Sequence, residues 1–177
     1  MLTKLGRWYN MSTLNVDTIQ DKGAAFEHAR LVQVVNTSSG AMVTGTTVTP
    51  DDDTIPQNNE GVEMITLAIT PTNASNKLLI EAVVVLTNSA VNVYTTALFQ
   101  DSTAGALACT VHRGDVADGN STIPLTHYMT AGTTSSTTFK IRCGGHQSGT
   151  IGLNSMDGSR VRGGAMVSSI TISEIRV

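Results

Sequence analysis

The run Leu78–Leu86 reads LLIEAVVVL and is the longest strand-sized apolar stretch of the chain. Only Glu81 interrupts it, and valine and isoleucine pack well on a pleated sheet but lose side-chain freedom in a helix. A nearly continuous apolar strand is typical of the centre of a sheet that is covered on both faces. We therefore predict a central β-strand here, with both of its faces buried.

Other strand-like runs lie on both sides of this stretch, and turn signals rich in Gly, Asn and Asp separate them. With Lys77–Thr87, which contains the central run, they are Thr13–Ile19, Leu31–Thr37, Met42–Thr49, Val62–Thr70, Val91–Gln100, Leu107–Arg113, Thr122–Met129, Thr137–Cys143, Gly149–Asn154 and Met166–Val177. Helical stretches do not alternate with these runs. Many short strands with frequent turns predict an all-β chain, folded as an antiparallel, jelly-roll-like β-sandwich.

Alternation of side chains predicts the faces of three strands. In Val62–Thr70 one face is expected to hold Ile65, Leu67, Ile69 and, at its exposed end, Glu63. In Val91–Gln100 the odd positions form one face and the even positions the other. In the last run we expect Val167, Ser169, Thr171 and Ser173 opposite Met166, Ile170, Ile172 and, after a register shift, Ile175.

The chain divides into residues 1–30, an N-terminal attachment segment and linker, and residues 31–177, the β-sandwich domain. Two conformations are open for the linker, since Asp21 could cap a helix over Ala24–Leu31 but Gly23 weakens its start. Met11 is also a possible translation start.

Attachment to a partner is predicted for the stretch before this linker. The run Ser12–Ile19 alternates apolar and polar residues but lies far from the sandwich, so we expect it to add to a sheet edge on another protein or protomer. Trp8 and Tyr9 could add aromatic anchors. The candidate attachment residues are Trp8, Tyr9, Leu14, Val16 and Ile19. The alternative is that this strand pairs within its own sandwich.

Charge and hydropathy exclude two classes of partner. The net charge of −3 gives no excess of Lys and Arg for nucleic-acid binding. No apolar run approaches the roughly 18 residues that membrane insertion requires. Residues 1–10 do not have the pattern of a secretory signal peptide, so we expect folding in a cytoplasm.

No catalytic residue, cofactor or metal is predicted, and we expect the protein not to be an enzyme. The four histidines, His28, His112, His127 and His146, lack the paired spacing of a helical zinc site. A loop metal site could combine His112 and His127 with Asp115 and Asp118, but a polar loop is the favoured interpretation. Neither a phosphate-binding glycine loop nor a serine elbow is present.

Three short patterns receive structural interpretations. The tripeptide Arg113–Gly114–Asp115 is of the integrin-binding type, but three residues match often by chance. The run Asp51–Asp53 lacks the full spacing of a calcium loop and is expected to be an exposed acidic loop. Cys109 and Cys143 are predicted to be reduced and largely buried, with one disulfide as the alternative.

Three stretches together resemble small structural proteins of tailed phages, often described as tail-fibre or virion structural proteins. They are Met11–Gln20 (MSTLNVDTIQ), Leu67–Leu86, and a C-terminal half with Thr133–Gly144 (TTSSTTFKIRCG) and Gly163–Val177 (GGAMVSSITISEIRV). The chain departs from that pattern at Met1–Asn10 and at the acidic insertion Thr49–Glu60.

The resemblance implies a homotrimeric fibre or knob, docked on the virion by its N-terminal segment and assembled in a host cytoplasm. Its partners would be other virion proteins of the tail, portal or capsid, and a glycan or protein of the host surface. A capsid decoration or cement protein is the alternative, and a carbohydrate-binding domain is a weaker one.

Overall fold

Residues 30–177 are described by the computed structural model, and they form β-strands joined by loops and one short 3-10 turn, Arg162–Gly164. The strands of this part of the chain are β1 (Arg30–Ser39), β2 (Val43–Gly45), β3 (Val62–Ile69), β4 (Lys77–Asn88), β5 (Asn92–Gln100), β6 (Ala108–Gly114), β7 (Ser121–Thr130), β8 (Thr137–Gly145), β9 (Ile151–Leu153), β10 (Ser155–Met156), β11 (Ser159–Arg160) and β12 (Ser168–Arg176). Within residues 30–177 no helix has the length and hydropathy needed to span a membrane.

Two sheets contain almost all of these strands. The first sheet has the order β1-β12-β4. On its other side β4 pairs with β7 along most of its length, and the last residues of β4 pair with β9. β9 in turn pairs with β2. The second sheet has the order β3-β8-β5-β6, and β10 and β11 form a separate hairpin. Every pairing is antiparallel. The predicted antiparallel sandwich is confirmed.

The core lies between the two sheets. Alternate residues of β4 point into it from the first sheet, and alternate residues of β5 and β8 point into it from the second. The fully buried members include Leu78, Ile80, Leu86, Leu98, Phe139, Ile141, Ile170 and Ile172. Burial of each such side chain contributes about 1.5–3 kcal/mol, so this cluster is the main source of stability.

β4 is central, as predicted, but it is buried on one face only. Leu78, Ile80 and the other even positions are buried, whereas Glu81 and Val83 on the outer face are exposed. The prediction that both faces are buried is wrong for most of the strand. Only at its end is an outward residue covered, where Thr87 is 3% exposed and its hydroxyl lies 2.8 Å from Ser155 Oγ.

A β-bulge changes the predicted face of Glu63. The register between β3 and β8 shifts between Glu63 and Ile65, so that Glu63 pairs with Arg142 on the outer face of the second sheet. There its carboxylate lies 3.8 Å from Lys140 Nζ and 3.9 Å from Arg142 Nη1. Ile65 and Ile69 are buried in the core, as expected, but Glu63 does not share their face because a bulge adds one residue to the strand.

The end of β12 also differs from the prediction. Its pairing with β4 runs without interruption from Ser169 to Ile175, so no register shift brings Ile175 inward. Glu174 occupies the inward position instead, and its side chain is completely buried. Five hydrogen bonds from described donors compensate this burial: Gln33 Nε2 (2.5 Å), Asn76 Nδ2 (2.5 Å), the Thr72 hydroxyl (2.8 Å), Thr72 N–H (2.9 Å) and Asn73 N–H (3.3 Å).

The acidic insertion Thr49–Glu60, called the strap below, lies over the outer face of the second sheet. Its backbone is bonded at one end from Thr49 N–H to the Gly145 carbonyl at 3.0 Å, and at the other from Asn58 N–H to the Ala104 carbonyl at 2.8 Å. The outward residues of β5 beneath it, Thr95, Ala97 and Phe99, are only 4%, 3% and 1% exposed. The strand buried on both faces is therefore β5 rather than β4.

Part of the predicted linker helix is excluded. Arg30 and Leu31 belong to β1 and pair with Arg176 and Ile175, so a helix over Ala24–Leu31 does not reach its predicted end. The rest of that segment and the predicted strand Thr13–Ile19 lie outside the described residues.

Candidate interaction surface

The outer face of the first sheet carries exposed apolar side chains on three of its four long strands, β1, β4 and β7. Leu31 and Val34 of β1 are 58% and 50% exposed, Val83 of β4 is 40% exposed, and Tyr128 of β7 is 54% exposed. The register places Val34, Ser173, Leu79 and Tyr128 in one row across β1, β12, β4 and β7. We call these five apolar residues, Leu31, Val34, Leu79, Val83 and Tyr128, the apolar face.

The sequence builds this face through the odd positions of β4. In an antiparallel sheet with one solvated face, alternate residues are normally polar. Here Leu79, Val83 and Val85 all point outward, and only Lys77 and Glu81 among the outward β4 residues are charged. Because exposed apolar patches with polar surroundings mark contact surfaces, the face is suited to bind another protein surface.

The free edge beside this face is blunted. β7 is an edge strand of the first sheet, and Pro124, opposite Val83 in β4, lies in its middle. Proline has no N–H to donate to a further strand, so it weakens edge-to-edge pairing at this position. Contact through the face of the sheet is therefore favoured over addition of a strand to β7.

The candidate attachment residues Trp8, Tyr9, Leu14, Val16 and Ile19 lie outside the described residues, and their role stays a prediction. The sequence reasoning that found them missed the apolar face, because the nearly continuous apolar run of β4 predicts a strand that is covered on both faces.

Two hydroxyl–imidazole pairs form that the sequence did not indicate. Thr95 Oγ1 lies 3.0 Å from His146 Nε2, and Asp51 Oδ1 lies 3.3 Å from His146 Nδ1. The hydroxyl of Thr95, the imidazole of His146 and the carboxylate of Asp51 thus follow one another as the nucleophile, base and acid of a catalytic triad do. Thr95, however, is only 4% exposed beneath the strap, so a substrate cannot reach its hydroxyl. The chain separation of these three residues explains why no motif revealed them.

The second pair is part of a polar chain between the sheets. Ser121 Oγ lies 2.8 Å from His112 Nε2 and accepts a hydrogen bond from the Tyr94 hydroxyl at 2.9 Å. These contacts connect β5, β6 and β7 and give His112 a structural role. Within the described chain, no three His, Cys, Asp or Glu side chains are grouped so that they could hold a metal ion; the considered site of His112, Asp115, Asp118 and His127 is not assembled.

The two cysteines have different environments. Cys143 is buried, and desolvation raises the pKa of its thiol to about 12. Cys109 is exposed, which corrects the prediction that both are largely buried. Cys109 pairs with Ala97 on the outer face of the second sheet, while Cys143 points into the core. A disulfide between them is excluded because they lie on opposite faces of the sheet, with β5 between their strands.

The remaining short patterns lie at the surface. Arg113 and Asp115 of the tripeptide pair with each other at 3.7 Å and are 74% and 84% exposed. The run Asp51–Asp53 is part of the strap and is exposed, as expected. Side-chain and backbone hydrogen bonds from Thr54 lower the pKa of Asp52.

Residues 44–177 of the chain match the model of a protein family that is described as the Pgp3 C-terminal domain. This range includes eleven of the twelve strands described above, wholly or in part. A comparison with curated protein sequences finds no match.

Several solved structures are similar in backbone. The Eiger TNF structure from S. frugiperda is 8% identical, with 83% of this chain and 94% of that chain covered and a TM-score of 0.47. A sugar-binding protein, the EclA C-terminal domain, is 13% identical, with 84% and 99% covered and a TM-score of 0.37. The VP2 subviral particle of infectious bursal disease virus is 12% identical, with 84% and 40% covered and a TM-score of 0.36. Such low identities and TM-scores give no information on function.

Proposed function

The chain belongs to the Pgp3 C-terminal domain family, and we propose that it is a homotrimeric structural protein of a bacteriophage virion. In this proposal the sandwich is displayed outward as a short fibre or knob, and the N-terminal segment docks on other virion proteins. The observation that carries the assembly part is the apolar face of the first sheet. The virion location and the number of three copies rest on the sequence resemblance to tailed-phage structural proteins.

The apolar face supports self-association for a physical reason. Leu31, Val34 and Tyr128 are each at least half exposed, and covering apolar surface contributes roughly 25 cal/mol per Å². Closed rotational symmetry lets identical copies cover this face without leaving it open to further growth. A sandwich held by such contacts would be suited to a particle that must survive outside a cell.

The proposal assigns no chemical reaction to the chain. Thr95 with His146 is closed off by the strap, and Ser121 with His112 is part of a structural polar chain. Display and attachment, rather than turnover, are the functions that we propose.

Assembly can be tested by native mass spectrometry and light scattering of the full chain at micromolar concentration. Three copies are expected for the natural sequence. Val83→Glu places a charge in the apolar face and should give folded monomers. Val111→Glu is the matched control, because Val111 is 58% exposed on β6 of the second sheet, and it should stay trimeric. A stable monomer of the natural chain, or dissociation by both variants alike, contradicts the proposal.

Attachment can be tested by deleting residues 1–20. We expect the deletion variant to fold and to remain soluble but not to enter virions, as judged by electron microscopy of labelled particles. Unfolding of the variant would show that the early strand belongs to the core. Normal incorporation would place attachment on the sandwich and exclude the proposed role of Trp8, Tyr9, Leu14, Val16 and Ile19. Burst heads at low salt without the protein would favour the cement alternative.

A further inference from the structure

A cavity of about 370 Å³ opens at the end of the sandwich where β1 pairs with the last residues of β12. The loop between β3 and β4 forms its other wall. The residues that line the cavity are Arg30, Val32, Thr72, Asn73, Asn76 and Arg176. The cavity lies apart from the apolar face. Its β1 and β12 residues are Arg30, Val32 and Arg176, and they do not lie on the outer face of the sheet, where Leu31 pairs with Ile175.

Two arginines stand side by side at this cavity. Arg30 and Arg176 are direct partners in the antiparallel pairing of β1 and β12, so their side chains leave the sheet on the same side. Like charges directly opposite each other are unfavourable in a sheet. Among the described residues no carboxylate lies within 4 Å of either guanidinium. Their mutual repulsion would be relieved by an anion, which guanidinium groups bind in a bidentate manner.

The opposite wall is held rigid by the buried Glu174. Its carboxylate accepts hydrogen bonds from Thr72 N–H, Asn73 N–H and Asn76 Nδ2, which fixes the β3–β4 loop in place. The negative charge of Glu174 is surrounded by hydrogen-bond donors. Since two arginines and this one carboxylate lie at the cavity, the sum of their charges is +1. The cavity is therefore both preformed and suited to an anionic ligand.

Unused polar atoms and one apolar side chain complete the lining. Asn73 uses its Oδ1 to accept bonds from Ser75, and Asn76 donates from its Nδ2. Asn73 Nδ2 and Asn76 Oδ1 make no side-chain bond among the described residues, so one donor and one acceptor are left for a ligand. A β-bulge between Leu31 and Gln33 places Val32 at the cavity, and bulges commonly re-aim side chains next to functional sites.

We propose that this cavity binds an acidic sugar, with Arg30 and Arg176 on its carboxylate or sulfate group. The volume exceeds what a small inorganic anion fills, and it can hold a sugar ring beside Val32. Asn73 and Asn76 would bind ring hydroxyls through their free amide atoms. The assignment depends neither on the trimer nor on a virion location, since every contributing residue is in one protomer.

Binding can be measured on the full chain by calorimetry and by ligand-observed NMR. The probes are N-acetylneuraminic acid and D-glucuronic acid, with the neutral N-acetylmannosamine and D-glucose as matched comparators and sodium sulfate at equal ionic strength. We expect the acidic sugars to bind and the neutral ones not to. Arg176→Gln and Arg30→Gln should each weaken binding roughly tenfold, the value typical of one hydrogen bond to a charged group.

Arg160→Gln is the matched control, because Arg160 is an exposed arginine of β11 that does not line the cavity. It should leave binding unchanged. The melting temperature gives a second readout: removal of one arginine should leave it unchanged or raise it without ligand, since a repulsive pair is relieved. Equal binding of neutral sugars, binding of sulfate as tight as that of the acidic sugars, or no binding of any probe overturns the proposal.

Discussion

Replacement of Glu174 by Gln should destabilise the sandwich strongly, and it should remove a pH dependence of stability that we expect of the natural chain. The substitution keeps the volume of the side chain but exchanges one carboxylate oxygen for an NH₂ group. That group would face donors, among them Gln33 Nε2 and Thr72 N–H, which now bond to the carboxylate. Donors facing donors in a buried site lose their partners.

The magnitude follows from the pKa of Glu174. Burial by itself pushes this pKa up, but hydrogen bonds from Gln33, Asn76 and Thr72 outweigh it and lower the pKa from 4.5 to about 2. Each pKa unit corresponds to 1.36 kcal/mol, so the ionised form contributes about 3 kcal/mol to the free energy of unfolding. For a lowered pKa this stability is complete above pH 4.5 and is lost as the pH falls through about 2.

Denaturant unfolding of the natural chain and of Glu174→Gln, at one protein concentration and at several pH values from 2 to 6, measures both effects. We expect the variant to be less stable by about 3 kcal/mol at pH 6 and the difference to shrink as the pH falls. Asp53→Asn, an exposed acidic residue of the strap, is the control and should behave like the natural chain. A difference at pH 6 below about 0.5 kcal/mol, the range of ordinary surface substitutions, would refute the reasoning.

Two further predictions concern the second sheet. Gly144→Ala should lower the free energy of unfolding by about 1–3 kcal/mol in denaturant titrations. The reason is that a Cβ at this position would lie 2.9 Å from Gly61 Cα and would push against Thr49. An unchanged denaturation midpoint would contradict this and show that the strap moves aside without cost. A thiol reagent should label Cys109 quickly in the native protein and Cys143 only after unfolding. Cys109 is exposed, whereas Cys143 is buried and the pKa of its thiol is raised to about 12. Mass spectrometry that finds two labels per native chain contradicts this.

The fold class was predictable from sequence because β-branched runs and turn residues act locally. The even and odd faces of β5 were assigned correctly, since strict alternation needs no knowledge of partners. The bulge at Glu63–Ile65 was not predictable, because an extra residue in a strand is defined by the register with β8. Likewise the burial of Glu174 depends on donors from Gln33, Thr72, Asn73 and Asn76, which lie about 100 or more residues away along the chain.

The candidate surfaces were less predictable than the fold for a related reason. An apolar stretch such as Leu78–Leu86 indicates that its side chains are buried. It does not show whether residues of the same chain or those of another protein surface cover its outer face. The strap covers β5, which carries Thr95 and Ala97 on its outer face, and leaves β4 open on the side of Val83. The two arginines of the cavity are 146 positions apart, and only the pairing of β1 with β12 brings them together.

Different residues of β1 take part in the proposed trimer contact and in the proposed sugar site. Leu31 and Val34 belong to the apolar face, whereas Arg30 and Val32 line the cavity. Covering the apolar face in a trimer therefore leaves three cavities on one particle. Several weak sites on one rigid assembly raise the apparent affinity for a surface that carries many copies of a ligand, although each single contact stays unchanged. A polymer of acidic sugars should consequently bind the natural trimer more tightly than a monosaccharide does, and the monomeric Val83→Glu variant should lose this gain while keeping its affinity for the monosaccharide.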